Sequence, residues 1–467
     1  MSLRIALPKG RLLKDTSILL EKSGWDIEGY NTQMRNYRLQ SKKYPEMGIK
    51  VFQEKDIPIQ VAVGNYDIGI CGLNWIEELL VKYPSSAIAK VLDLGYGEGV
   101  LFAAMRPEML RETGTITRIA SEYPNLAESL AERLRLKRFS ILPLWGAAEV
   151  YPPESAEIVL LTSKTEKELV KHKIVNVGGL VKTKAYLIAN KNSLKKKDMT
   201  QILAAITENV PPVTHEIDEA NNIPIIIRAI ASSTGKINAN DKVRIALPDG
   251  HQQSHVCSIF EQAGICVNDY PSKTGNRRPV SNMEGVLIKV IRPQDMPLQV
   301  ANDNFDLAIT GRDWLIEHRY QFPSSPVEEL VDLKYGKVRL VAVISREIPA
   351  ENIDEWQRIH NQSRSACRVA SEYTNIADNY ARDKRLGRYR IIPTWGATEA
   401  FLPEDADILI ENTETGGTIA RHNLKIIDTL FESTACLIGS QRMITEKIKQ
   451  ERVKRIVTAL ESAVGAN

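Results

Sequence analysis

Short runs of consecutive apolar residues alternate along this chain with stretches whose apolar residues recur at helical spacing. LRIALP at 3–8 predicts a buried strand. RLLKDTSILLEKSG, which follows a few residues later, sets its leucines and isoleucine on one face and stops at a glycine, which predicts a helix. IKVF then reads as a strand, DIP as a turn opening a helix, YDIGICG as a strand and NWIEELL as a helix. Such alternation predicts an α/β fold with largely parallel sheets. In such sheets ligands gather at the carboxyl ends of strands, and LPKGR, ICG, ITG and ENTETGGT all lie at such ends.

The same pattern occurs twice. LRIALP returns as VRIALP at 243–248, and DIPIQVAVGNYDIGICGLNW at 56–75 returns as DMPLQVANDNFDLAITGRDW at 295–314. RIASEYPNLA at 118 is echoed by RVASEYTNIA at 368, and ILPLWGAAEVYPPESAEIVLL at 141 by IIPTWGATEAFLPEDADILIE at 391. Trp75 aligns with Trp314 and Trp145 with Trp395. The chain therefore divides into a first repeat, 1–210, a linker, 211–241, with PP, ASSTG and NAND, and a second repeat, 242–467. Extended, the linker could span up to about 100 Å, so it hardly restricts how the repeats pair.

Charge and composition narrow the chemistry. With 61 basic and 58 acidic residues among 467, the net charge of +3 argues against nucleic-acid or membrane partners, so any anion site must be local. No apolar run suits a signal peptide or a membrane span, which makes a cytoplasmic location the expectation. The five cysteines are scattered without a CxxC pair, and the histidines lack metal-ligand spacing. Reduced thiols and no protein-built metal site are expected.

The chemistry concentrates in ENTETGGT, 411–418. A strand, ADILI, leads into Glu411, followed by a turn of hydroxyls and glycines. Backbone N–H groups of such a turn can hold a phosphate, its glycines allow close approach, and the carboxylate can accept ribose hydroxyls. A plain surface turn is the competing reading.

RIALPKGRL, DIP, DxGIxG, LDLxYG, RxASxYPN, WGAxE, the strand–acid–TGxT loop and FESTACLI, in this order, resemble ATP phosphoribosyltransferase, the family that opens histidine biosynthesis. The resemblance spans nearly the whole of each repeat. It implies two tandem repeats, each a pair of periplasmic-binding-protein-like α/β lobes with substrates in the cleft, fused as a pseudo-dimer of short-form bodies without the regulatory ACT-like domain. The first lobe is expected to hold about 1–103 plus the returning end of the repeat, and the second about 118–184. The resemblance also implies that the KGR arginine serves a neighbouring body.

The repeats differ in what they keep. The second retains Glu411, Thr415, Gly416, Gly417 and Thr418. The first has LTSKTEKE there, with Leu161 for the acid and Glu166 and Lys167 for the glycines, so its loop is expected to be inactive. The first retains Lys9, Gly10 and Arg11, where the second has Asp249, Gly250 and His251. These complementary losses suggest one composite site per chain: the second repeat's cleft with Lys9 and Arg11.

The implied reaction joins ATP and phosphoribosyl diphosphate to give phosphoribosyl-ATP and diphosphate, with Mg²⁺ carried by the diphosphate. Arg11, Lys9 and Glu411 are the catalytic candidates. Glu414, Thr415, Gly416, Gly417 and Thr418 would hold the 5′-phosphate, with Asp407 helping Glu411 at the ribose. Lys9, Arg11, Arg292 and one of Arg277 or Arg278 would face the diphosphate. Thr310, Gly311, Asp313, Tyr373 and Glu399 are assigned to ATP. Bland readings stand beside these: Arg277 and Arg278 as a solvated pair, Asp313 as a helix cap, and Tyr373 and Glu399 as shared architecture, since Tyr123 and Glu149 match them. Glu411 stands where an aspartate is usual, Asn412 where an aliphatic residue is usual, and Glu372 where lysine is frequent. The alternative function is a non-catalytic regulatory partner sensing nucleotide or histidine. Further homo-oligomerisation and a separate regulatory subunit are left open.

Overall fold

The computed structural model describes residues 2–34, 36–108, 116–211, 242–273, 275–363, 365–442 and 446–465. The expected linker, 211–241, lies outside them except for Pro211. Among the described residues no helix is long and apolar enough to cross a membrane.

Each repeat builds two large sheets, and the second adds a two-stranded pair, Val267–Asn268 with Val280–Ser281. In the first repeat one sheet has the order Arg38–Leu39, Gly48–Phe52, Arg4–Pro8, Ile68–Gly72, Ala185–Asn190, Ile88–Asp93. The other runs Val175–Thr183, Gly99–Met105, Ile158–Ser163, Thr117–Ser121, Phe139–Pro143. The second repeat copies this with Val286–Ile291, Val243–Pro248, Leu307–Gly311, Ala435–Ser440, Val327–Asp332, and with Tyr389–Pro393, Cys367–Ser371, Ile408–Thr413, Val338–Ser345, Leu424–Ser433.

The sheets are mixed rather than largely parallel. Arg4–Pro8 pairs in parallel with Gly48–Phe52 and Ile68–Gly72, but the returning strand Ala185–Asn190 is antiparallel to both its neighbours. The reason is the double crossover: a chain that leaves one lobe and comes back enters the sheet from the other end. The lobe boundary also falls earlier than expected, because Gly99–Met105 belongs to the second sheet. The two crossovers bond to each other through Leu94 N–H to Ala185 O and Ala185 N–H to Tyr96 O. Leu333, Tyr335 and Ala435 repeat that arrangement in the second repeat.

The apolar pattern explains the packing. The helix Leu13–Lys22 buries Leu13, Thr16, Leu19 and Leu20 on one stripe. They meet Ile5, Leu7, Ile68 and Ile70 of the central strands. In the second repeat the helix Lys447–Gly465 closes the corresponding core with Ile456, Leu460, Ala463 and Val464. Each second lobe has its own core, around Tyr123 in one repeat and Tyr373 in the other.

The chain forms two compact units that nearly follow the repeats. Each unit takes one short segment from the other repeat: Leu144–Val150 goes with the second and Thr394–Ala400 with the first.

Candidate functional site

The strand Ile408–Thr413 is paired on both sides, with Val338–Ser345 and Cys367–Ser371, and its Ile408, Leu409 and Ile410 are buried. That anchors the start of the loop. Thr413 is buried and its hydroxyl accepts the Gly416 N–H at 2.9 Å, while Thr415 Oγ1 accepts the Gly417 N–H at 3.4 Å. Gly416 adopts φ +79° and starts a single helical turn, Gly417–Arg421. This left-handed geometry is cheap for glycine and costly for other residues. Glu414, Thr415, Gly417 and Thr418 are exposed, and Glu411 is half-buried.

The matching turn of the first repeat is closed on itself. Glu168, at the position of Thr418, accepts the Lys164 N–H at 3.0 Å and the Ser163 hydroxyl at 2.5 Å. The serine bond, followed by the backbone bond, holds its carboxyl below the ordinary range. Glu166 accepts Asn176 Nδ2 at 2.6 Å. A carboxylate therefore occupies the donors a phosphate would need.

Behind the loop of the second repeat lies a polar chain. Asn412 Nδ2 donates to the Tyr373 hydroxyl at 2.7 Å, and that hydroxyl donates to Asp313 Oδ2 at 2.6 Å. Ser433 Oγ donates to Asp313 Oδ1 at 3.1 Å and accepts the Asp313 N–H at 3.0 Å. Burial raises the Asp313 carboxyl above its usual range against the pull of both hydroxyls, and burial likewise raises the Tyr373 phenol. Tyr373 stacks on Trp314 with ring centres 4.3 Å apart. Thr310 is buried and donates to Pro293 O, and Gly311 caps the helix Arg312–Gln321. Thr310, Asp313 and Tyr373 are thus enclosed rather than set on an open nucleotide surface.

The basic residues are engaged. In the second unit Asp249 pairs with Arg277 at 3.2 Å and Arg292 at 3.0 Å. Arg277 also reaches Glu149 at 3.2 Å, and Arg278 donates to Val150 O at 2.9 Å. Arg292 lies against Gly146, whose absent side chain leaves it room. Arg277 and Arg278 are therefore not a solvated pair. In the first unit Lys9 Nζ donates to the Tyr37 hydroxyl at 2.7 Å. Arg11 pairs with Glu54 at 2.9 Å and donates to Gly97 O at 3.2 Å. Burial lifts the Glu54 carboxyl above its usual range, and Arg11 opposes that lift.

Asp407 and Glu399 remain among the assigned residues. Asp407 precedes its strand and clasps Arg368, taking its backbone N–H at 2.8 Å and its guanidinium at 2.9 Å, so it faces away from the loop. The cause is local: Glu157 does the same for Arg118 in the first repeat. Glu399 lies in Thr394–Ala400 and so belongs to the first unit.

The sequence model of the ATP phosphoribosyltransferase family matches residues 53–208 and again 292–462. The chain belongs to this family. The ATP phosphoribosyltransferase of Chlorobaculum parvum is 28% identical over 234 residues, covering 49% of this chain and 74% of that protein. That of Desulfatibacillum aliphaticivorans is 27% identical over 232 residues, 48% of this chain and 74% of that protein. Among solved structures, the ATP phosphoribosyl transferase (HisG:HisZ) complex from Thermotoga maritima aligns with 18% identity and a TM-score of 0.39, covering 48% of this chain and all of that one.

Against the family pattern, Asn412 registered in the sequence only as a departure, yet it is the residue that joins the loop to Tyr373. Its counterpart Thr162, also polar, meets Tyr123 at 3.2 Å. Among the described residues, His360, Cys367 and Asp407 come close enough to share a metal. That mixed nitrogen, sulfur and oxygen set does not suit Mg²⁺, which prefers oxygen ligands and water, and Asp407 is committed to Arg368.

Proposed function

We propose that this chain is an ATP phosphoribosyltransferase working through the loop at 411–418. It joins N1 of the adenine of ATP to C1 of phosphoribosyl diphosphate and releases diphosphate. The observation that carries the reading is the contrast between the loops. The second repeat's turn exposes its hydroxyls and glycines, whereas the first repeat's turn is filled by Glu168.

The transition state gathers positive charge on the ribose and negative charge on the leaving diphosphate, so positioning and charge stabilisation supply the rate without a covalent nucleophile. Thr415, Thr418 and the turn backbone hold the 5′-phosphate, and Glu411 accepts the ribose hydroxyls. Mg²⁺ enters with the diphosphate and offsets its charge. Lys9 and Arg11 are assigned to the same reaction because the repeat that keeps the loop has lost them.

A second reading, a regulatory partner sensing nucleotide or histidine, draws support from Asp249, which neutralises Arg277 and Arg292. Incubation with ATP, phosphoribosyl diphosphate and Mg²⁺ separates the two readings. Phosphoribosyl-ATP is the expected product, with one phosphoribosyl diphosphate bound per chain and a large loss of turnover in Arg11→Ala. No product would remove the enzyme reading. Two equal binding sites, or an indifferent Arg11, would remove the assignment of Lys9 and Arg11.

A further inference from the structure

Each repeat sets a tyrosine between its lobes, packed on a tryptophan of the first lobe: Tyr123 on Trp75 and Tyr373 on Trp314, with ring centres 4.3 Å apart in both. The rings are alike, but what surrounds the hydroxyls is not. In the first repeat Asn74 Nδ2 donates to the Tyr123 hydroxyl at 2.7 Å, and that hydroxyl meets Thr162 Oγ1 at 3.2 Å, where either oxygen can donate. In the second repeat the Asn412 amide nitrogen can only donate, so the Tyr373 oxygen accepts from it at 2.7 Å. The Tyr373 proton therefore goes to Asp313. The first-lobe partner thus donates to the tyrosine in one repeat and accepts from it in the other.

From this reversal we infer that Asn412 is a positioning residue. Its amide ties the segment carrying Glu411 and the phosphate turn, through Tyr373, to Asp313 of the first lobe and to Ser433 at the crossover. Asn412 stands between Glu411 and Thr413, and Thr413 in turn holds the Gly416 N–H. The position of the turn is thus set from the far lobe, so binding in the first lobe and binding at the turn are linked. An aliphatic residue at 412 would leave the Tyr373 oxygen without its donor. In its link to substrate, this inference rests on the reading of 411–418 as the phosphate loop.

The test uses the full chain without ligand, so its outcome is separate from that reading. Amide hydrogen exchange of the 411–418 peptide is followed in Asn412→Leu, Tyr373→Phe, the double variant and Asn412→Thr. Loss of this one part-buried hydrogen bond should speed exchange roughly three- to tenfold in each of the first two. The double variant should be no faster than the faster single, because both act through one link. Asn412→Thr keeps a donor and should stay near the parent rate, with 161–168 unchanged throughout. Unaltered exchange in both single variants, additive effects in the double, or an Asn412→Thr as fast as Asn412→Leu would overturn the inference. Phosphoribosyl diphosphate affinity, measured by calorimetry, should weaken in Asn412→Leu and recover in Asn412→Thr. A parent chain that fails to bind it would count against the proposed function and leave the exchange result standing.

Discussion

Glu168 accepts the backbone N–H of Lys164 at 3.0 Å and thereby occupies, with its own carboxylate, the turn that matches 411–418 of the second repeat. Phosphoribosyl diphosphate should therefore protect amides in 411–418 and leave those in 163–168 exchanging as before. Hydrogen exchange with and without the ligand checks this. Equal protection of both turns would show that the first turn can still admit a phosphate.

Gly416 holds φ +79° with no close neighbour where a side chain would start, so only backbone strain opposes an alanine there. Gly416→Ala should cost about 1–2 kcal/mol in loop geometry and weaken phosphoribosyl diphosphate binding by roughly tenfold. Gly416→Asn should be milder, because asparagine tolerates this region. Calorimetric titration of the two variants compares them directly.

Glu78 ties the lobes of the first repeat. Its carboxylate accepts the N–H groups of Asn125 and Leu126, both at 2.9 Å. Burial nevertheless pushes its carboxyl up to about 7, against those bonds. Because the folded value lies above the unfolded one, this group's contribution to stability is complete below about pH 4.5. It is lost as pH rises through about 7. Glu78→Gln removes the titration. Thermal unfolding should show the variant gaining on the parent by about 1–3 kcal/mol between pH 5 and pH 8. A constant difference across that range would place the Glu78 carboxyl in the ordinary range.

Local pattern and residue identity were enough for the repeats, for the strands and helices at the start of the first repeat, and for the contrast between ENTETGGT and LTSKTEKE. These depend on local preference and on residue identities that can be compared between two copies. The antiparallel returning strands were not legible, because a run such as AYLIAN carries the same apolar pattern whichever way it enters a sheet. Nor was the place of Asp407. It is an acid four residues before Glu411, and only the proximity of Arg368 turns it away from the loop.

Asn412 and Asp249 make the same point at the candidate site. In the sequence both are departures from a pattern, one polar for apolar and one acid for base. Tertiary structure gives each a role: Asn412 bonds Tyr373, and Asp249 bridges Arg277 and Arg292.

By itself, then, the sequence determined the family, the duplication and which repeat retains the glycine- and hydroxyl-rich turn, since these are written in residue types and their order. Only the tertiary structure decided which side chains face each other across the lobes, which carboxylates are taken up by internal partners, and which groups meet each tyrosine hydroxyl. Those outcomes depend on contacts between residues far apart in sequence, such as Tyr373 with Asn412 and with Asp313, where periodicity and local preference carry no information.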